Sequence, residues 1–212
     1  MKKIVTLIPS ASEIVSFLGE KNSIIGRSHE CDFPIELNKV VPLTSPKLNV
    51  TGSSREIHDQ IEGILSNSLS VYKVDIEKLK LLNPDYVITQ AQCEVCAVSL
   101  SEVEKIISKY LSKNTKVISL QPNTISEVFD DINRVASGLC LNKKKSDDLV
   151  FSLKQRLKKI KEKNFSKNHQ SVACIEWTDP LMIAGNWIPE MVEIAGAKDI
   201  FGKKGKNSYW VK

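Results

Sequence analysis

Short apolar runs alternate with amphipathic segments along the first 120 residues of the chain. The runs are rich in β-branched residues and are short enough to predict buried strands. Between them, apolar residues recur at helical spacing, for example over residues 55–67 and 100–111. The predicted strands are residues 3–8, 24–26, 40–43, 71–74, 86–89 and 116–120. This alternation predicts an α/β fold, with a mostly parallel sheet covered by helices on both faces.

Two helix starts carry the pattern of a capping box. Ser10 and Glu13 form one such pair, and Thr124 and Glu127 form the other, each followed by apolar residues at helical spacing. In this arrangement the hydroxyl and the carboxylate each accept a hydrogen bond from the other residue's backbone amide. The sequence therefore predicts that Ser10 and Thr124 are the N-cap residues of their helices.

The alternation of predicted strands and helices stops after Pro122. Two helices are predicted in succession, the second long and lysine-rich over residues 143–163, and only then do strands return at 171–176 and 181–184. A turn at Asp179-Pro180 joins these strands, and a last helix covers 189–195.

The chain is accordingly expected to have three parts. These are an N-terminal α/β lobe (1–122), connecting helices (123–168) and a C-terminal lobe (169–212). No element is predicted after Gly202, and two strands with one helix bury too little apolar surface for a stable core. The sequence thus predicts that the C-terminal lobe within these residues is incomplete.

Composition narrows the class of protein. The chain has 212 residues, of which 42% are hydrophobic and 26% charged, as is usual for globular proteins. The net charge of +5 comes mostly from lysine runs without interleaved aromatic residues, so nucleic-acid binding is not expected. No apolar stretch is long enough for membrane insertion.

The N-terminus bears on the location of the protein. Met1-Lys2-Lys3 and the apolar run that follows resemble the start of a signal peptide, but the run breaks at Pro9 and no clean cleavage site follows. This pattern predicts a buried strand and a cytoplasmic protein, with a periplasmic or other extracytoplasmic location as the alternative. In the cytoplasm, the five cysteines would serve as thiols, metal ligands or redox groups.

Candidate ligand-binding residues concentrate in two loops, 27–34 and 90–99, which each follow a predicted strand. Because parallel strands end at one edge of a sheet, both loops are expected where open α/β sheets bind ligands. Ser10, at a helix start, adds backbone donors for an anionic group. The candidates in these segments are Ser10, Arg27, Ser28, His29, Glu30, Cys31, Asp32, Gln92 and Cys93.

Four of these side chains also permit other chemistry. His29, Cys31, Cys93 and Cys96 are the donor types of a tetrahedral metal site. Only one Cys-x-x-Cys is present, so the spacing leaves open a metal site, a redox dithiol, a Cys-His nucleophile and unliganded thiols. The remaining histidines, His58 on a predicted surface helix and His169 in a polar linker, are expected to be solvated.

The C-terminal part offers large aromatic surfaces. Trp177 and Glu176 follow a strand, and Trp187 precedes a helix. In a cleft, the two indoles would stack on a flat ligand, although packing inside the lobe is an equal alternative for each of them. Glu176 is expected either to meet Arg27 across that cleft or to contact the ligand.

Several segments resemble the periplasmic-binding-protein-like family that includes the vitamin B12- and iron-siderophore-binding components of ABC importers, and most closely its cobalamin-binding-like branch. The matching segments are residues 8–14, 26–34, 82–89, 92–96 and 195–201, in the order of the family. The resemblance implies two parallel-sheet lobes joined by a long helix, a small ligand in the cleft between them, no catalysis, and an ABC-transporter permease as partner.

Three functional hypotheses follow. The first is a substrate-binding-protein homologue that binds a corrinoid (such as cobalamin) or a metal chelate between its lobes. The second is a cytosolic metal-binding or thiol-dependent enzyme that uses His29, Cys31, Cys93 and Cys96. The third is a truncated remnant of such a binding protein. Apart from the corrinoid or metal ion that these hypotheses name, no cofactor is expected.

Overall fold

The computed structural model describes residues 1–66, 70–91, 98, 100–164 and 170–211. The strands are β1 (Ile4–Thr6), β2 (Ile24–Arg27), β3 (Thr44–Pro46), β4 (Tyr72–Val74), β5 (Tyr86–Gln90), β6 (Lys116–Leu120), β7 (Gln170–Val172), β8 (Ile175–Thr178), β9 (Leu181–Ile183), β10 (Ala197–Asp199) and β11 (Tyr209–Trp210). The helices are α1 (Pro9–Val15), α2 (Ser54–Leu65), α3 (Ile76–Leu82), α4 (Leu100–Tyr110), α5 (Ile125–Gly138), α6 (Lys143–Asn164) and α7 (Ile188–Ile194).

A four-stranded parallel sheet forms the centre of the N-terminal part, in the order β2-β1-β5-β6. Successive residues of a strand point to opposite faces, so each strand contributes to two apolar cores. Ile4 and Ile88 pack in the core beneath α1, α5 and α6, whereas Val5 and Val87 pack in the core beneath α3 and α4. The α/β fold, with helices on both faces of a parallel sheet, is therefore confirmed.

The C-terminal part is built differently. Strands β8, β9 and β11 form an antiparallel sheet, and β7 pairs in parallel with β10. The predicted turn at Asp179-Pro180 lies between β8 and β9, and α7 ends before Gly196, whose φ of 83° suits glycine. The prediction that nothing follows Gly202 is wrong, because Tyr209 and Trp210 pair with Ile183 and Met182.

The two predicted capping boxes have different outcomes. Thr124 accepts from the amide of Glu127, whose carboxylate accepts from the amide of Thr124, so that box is confirmed. The prediction for Ser10 is wrong, because α1 begins at Pro9 and its N-cap is Ile8, two residues before Ser10. Proline suits a first helical position because its φ is preset and its missing amide would be unpaired there.

The predicted edge strand at 40–43 is also wrong. The backbone of this segment pairs with a single residue of β2, with Arg27 N donating to Val41 O and Leu43 N donating to Arg27 O. The strand forms just after it, as β3, which runs antiparallel to β4. The proline at position 42 has no amide to donate, which keeps the segment out of a regular ladder.

Candidate functional site

The parallel strands β1, β2, β5 and β6 all end at one edge of the sheet, here called the carboxyl edge. Chain segments that leave this edge include the loop after β2 and the start of α1. This is the edge at which open α/β sheets bind ligands. Of the predicted residues in the second loop, Gln92, Cys93 and Cys96 lie outside the described residues.

The Arg27 side chain is buried inside the loop after β2 and donates hydrogen bonds to its backbone carbonyls. Its side chain is 9% exposed, and its Nε donates to Leu37 O at 2.9 Å. Its Nη1 donates to Ser28 O at 2.9 Å and Cys31 O at 3.1 Å. These carbonyls compensate for the burial of the guanidinium charge, which would otherwise be costly. The expected contact between Arg27 and Glu176 is wrong, since Arg27 faces the interior of its own loop.

Cys31 is likewise an interior residue. It is 2% exposed, and its Sγ lies 2.9 Å from the hydroxyl of Ser12, which lies 2.6 Å from that of Thr6. Burial raises the pKa of the Cys31 thiol, partly offset by the hydrogen bond with Ser12. A nucleophile or metal ligand has to be a thiolate, which this environment disfavours.

The structure gives limited support to a metal centre. Within the described part of the chain, no group of three or more His, Cys, Asp and Glu residues is placed to hold a metal ion. His29 and Cys31 also face different neighbours, Thr44 and Ser12 respectively. The four-residue set that includes Cys93 and Cys96 stays a prediction, because these two lie outside the described residues.

A polar cluster at the carboxyl edge consists of His29, Glu30, Thr44 and Tyr72 and is called the His29 cluster. His29 Nδ1 lies 2.6 Å from Thr44 Oγ1, and the Tyr72 hydroxyl donates to Glu30 at 3.1 Å. Burial lowers the pKa of His29, with Glu30 opposing the shift. Burial and the carboxylate of Glu30 raise the pKa of Tyr72 to about 12. The cluster therefore presents a neutral imidazole and a protonated phenol.

Sequence reasoning found only part of this cluster. Thr44 and Tyr72 were not among the candidates, because they join the site through the antiparallel pairing of β3 and β4. Ser28 is buried and bonds to Thr44 Oγ1 at 3.1 Å, which makes it a support for the cluster. Asp32 is exposed, and its charge adds to the effect of burial in raising the pKa of Glu13.

The main apolar concavity lies farther along the same edge, where β1, β5 and β6 end, and is called the carboxyl-edge cavity. It has a volume of about 410 Å³, opens to solvent on one side and is bordered by α1, α5, α6 and α7. Its lining residues are Ile8, Ser10, Ile14, Gln90, Leu120, Pro122, Ile125, Val128, Phe129, Asp131, Leu153, Arg156, Leu157, Ile160, Trp187 and Met191. Ser10 and Trp187 are thus brought together as predicted cleft residues, across about a hundred and eighty residues of chain.

Most of this lining could not be selected from the sequence as functional. The leucines and isoleucines of α5 and α6 have the spacing of ordinary core positions. They line a cavity only because α7 packs beside these helices and forms its remaining wall. Among the described residues of this lining, the charged ones are Asp131 and Arg156. Asp131 is 2% exposed and accepts hydrogen bonds from Arg134 and from the amide of Gln121.

The C-terminal sheet contacts the N-terminal part at α2. The Trp177 Nε1 donates to Ser54 O at 3.1 Å, and Arg55 pairs with Asp179 at 2.6 Å. His58 packs edge-on against Trp210, with ring centroids 4.9 Å apart. The prediction that His58 is solvated is therefore wrong, because β11 covers it.

These contacts divide the predicted C-terminal residues. Trp187 lines the carboxyl-edge cavity. The indole Nε1 of Trp177 instead donates to the carbonyl oxygens of Ser54, in α2, and of Asp179. Glu176 is exposed on β8 and is not among the residues that line the cavity. Trp187 alone of these three contributes to the cavity.

Solved structures of the same shape are periplasmic binding proteins. The chain superposes on the vitamin B12-binding protein BtuF of Vibrio cholerae with a TM-score of 0.67 and 17% identity, covering 100% of this chain and 70% of that one. The heme-binding protein HutB of Vibrio cholerae gives a TM-score of 0.67 at 14% identity, with coverage of 100% and 70%. RhuT of Roseiflexus sp. RS-1, also named a heme-binding protein, gives 0.61 at 20%, with coverage of 93% and 65%. The fold is that of the two-lobed periplasmic binding proteins.

Sequence comparison agrees with the fold. The chain is 28% identical over 207 residues to an uncharacterized ABC transporter substrate-binding lipoprotein, YvrC of Bacillus subtilis (strain 168), covering 93% of this chain and 55% of the relative. The chain therefore spans about half the length of the curated relative it matches. A comparison with protein-family models finds no match. In both sequence and fold, the chain is therefore similar to proteins of the periplasmic-binding-protein-like class.

Proposed function

We propose that the chain binds a metal-chelate macrocycle, of the corrinoid or heme class, in the carboxyl-edge cavity and delivers it to an ABC importer. The observation that carries this proposal is the cavity itself, an apolar space at the carboxyl ends of β1, β5 and β6 that Trp187 closes from the C-terminal side. Flat apolar ligands bind in concavities of this kind, between aromatic and aliphatic walls with few polar groups.

The relatives support the class of ligand. BtuF is named for vitamin B12, and HutB and RhuT are named for heme. The cavity volume of about 410 Å³ lies in the lower part of the range for sites of small molecules, about 300–1,000 Å³. A macrocycle would therefore enter the cavity with one edge and rest its remainder on the carboxyl edge, toward the His29 cluster.

The proposed role is binding without catalysis. Its rival, a thiol-dependent enzyme, would use His29 with Cys31, Cys93 or Cys96. Of these cysteines the structure describes Cys31, and burial holds its thiol in the protonated form. The relatives bear names of substrate-binding proteins, which carry ligands without converting them. A transporter permease is the partner that this role requires.

The proposed role also sets the proposed location, outside the cytoplasm. The relative YvrC is named a lipoprotein, and binding proteins of importers act where the ligand arrives. The expectation of a cytoplasmic protein gains no support from these comparisons. No helix among the described residues is both long and apolar enough to cross a bilayer.

Calorimetric titration of the purified chain tests the proposal. Cobalamin, cobinamide, heme and an iron siderophore are titrated in turn, and one macrocycle is expected to bind saturably with one ligand per chain. The variant Trp187→Ala should weaken that binding, whereas Trp210→Ala, on the outer strand β11, should leave it unchanged. Absence of binding across all four compounds would overturn the proposal.

A further inference from the structure

Two charged side chains among the described residues line the carboxyl-edge cavity, and they differ in whether they have partners. Asp131 already has partners, since both of its carboxylate oxygens accept hydrogen bonds, one from Arg134 and one from the amide of Gln121. Arg156 forms neither an ion pair nor a hydrogen bond with any residue that the structure describes. The cavity therefore has one permanent positive charge that no described residue neutralises.

The composition of α6 sets Arg156 apart from the other cations of this helix. The helix carries eight lysines and one arginine, and the arginine is the cation that lines the cavity. Arg156 lies three residues after Leu153 and four before Ile160, so these three residues share the face of α6 that meets the cavity. The lysines of α6 and Arg156 are all exposed, but of these cations Arg156 alone lines the cavity.

The chemistry of arginine indicates what would neutralise this charge. A guanidinium stays protonated at any physiological pH and presents a planar fork of donors that matches a carboxylate in two parallel hydrogen bonds. Such pairs gain strength beside apolar walls, where water competes less. Lysine offers a more strongly hydrated point charge and lacks this geometry.

We propose that Arg156 binds a carboxylate of the ligand, so that the site selects an acidic macrocycle of the heme class over neutral or cationic corrinoids. This inference rests on the proposed function and specifies its ligand. In this arrangement the apolar walls and Trp187 pack against the macrocycle ring, and the Arg156 guanidinium donates hydrogen bonds to a propionate at the edge of the ring. Arg156 is then the residue that determines specificity between the two macrocycle classes.

The test uses heme and heme dimethyl ester, whose propionates are capped, as probes of the intact chain. Arg156→Gln is compared with Lys159→Gln, which removes a charge from the same helix outside the cavity. Heme binding should weaken about tenfold or more in Arg156→Gln and stay unchanged in Lys159→Gln. The ester should bind wild-type protein more weakly than heme does, and Arg156→Gln should not weaken it further.

The possible outcomes separate the two proposals. If heme binds wild-type and Arg156→Gln equally, or if the ester binds the wild type as tightly as heme, the role of Arg156 is overturned while the ligand site stands. If neither heme nor any corrinoid binds the wild type, both proposals fall. If Arg156→Gln does not fold, the ester comparison on the wild type decides alone.

Discussion

Trp177 and Ser54 connect the two parts of the chain, with the indole Nε1 donating to the Ser54 carbonyl across 3.1 Å. Ser54 opens α2, and Trp177 lies on β8, so the bond joins the first turn of an N-terminal helix to the C-terminal sheet. The adjacent Arg55–Asp179 pair strengthens this connection only modestly, because both side chains are about half exposed.

Replacement of Trp177 by phenylalanine should loosen this connection. The variant keeps a ring but removes the donor to Ser54, at a cost of about 1 kcal/mol. We expect faster amide hydrogen exchange in β8, β9 and the first turn of α2, measured by mass spectrometry. Tyr209→Phe is the control, because its hydroxyl bonds to Phe201 O within the C-terminal part. Unchanged exchange in α2 of Trp177→Phe would contradict the connection.

The capping box of α5 should contribute measurably to stability. Thr124→Ala removes the acceptor for the Glu127 amide and should lower the free energy of unfolding by about 1 kcal/mol, measured by urea denaturation. Thr124→Ser retains the hydroxyl and should behave like the wild type. Equal stability of the two variants would show that the cap is unimportant.

The same urea experiment also tests the hypothesis of a non-functional remnant. A single cooperative unfolding transition of the wild type would count against it.

The thiols should differ in reactivity. Cys31 is buried and its pKa is raised, whereas Cys140 is exposed. Iodoacetamide at pH 8 is expected to modify Cys140 at least about tenfold faster than Cys31 in the native protein, with both reacting alike in denaturant. Mass spectrometry of tryptic peptides measures the two rates. Rapid modification of Cys31 in the native protein would contradict this prediction and support the hypothesis of a thiol-dependent enzyme.

Asp131 should make stability depend on pH. Burial raises the pKa of its carboxyl, an effect that Arg134 offsets only in part, so the charged form is less favoured in the native than in the unfolded state. Its penalty is fully present above the native pKa, decreases as the pH falls below that value, and is gone below the lower pKa of the unfolded state. Asp131→Asn should therefore unfold at higher urea concentration than wild type at pH 7, and the difference should vanish in acid. A variant that is less stable than the wild type at pH 7 would contradict this sign.

Local signals in the sequence sufficed for much of the N-terminal part. The strand preceding His29 and the helix behind Thr124 are set by apolar runs and a capping box, which act over a few neighbouring residues. The false capping box at Ser10 failed because Pro9 competes for the same helix start. Strands β10 and β11 were missed since each has at most three residues and exists through pairing with a distant partner.

The candidate site was less predictable than the fold. Arg27 and Cys31 have the chemistry of ligand residues, and only the path of their loop shows that both are interior. Trp187 and Ser10 meet in a cavity whose other walls have the pattern of ordinary core positions. Arg156 is one cation among the many of α6, and what sets it apart is that it lines the cavity, which the sequence does not show. Such properties arise from long-range packing, which residue spacing does not encode.

The most direct test of the proposed site is to fill the cavity with a side chain. Ile160 lines its mouth and is 44% exposed, whereas Phe151, on the same helix and 65% exposed, is not among the lining residues. The affinity of the bound macrocycle is measured by calorimetry for Ile160→Trp and Phe151→Trp, with the unfolding midpoint of each as a check on folding. Our account predicts a loss of about tenfold or more for Ile160→Trp and none for Phe151→Trp. Equal, undiminished affinity in both variants would contradict it.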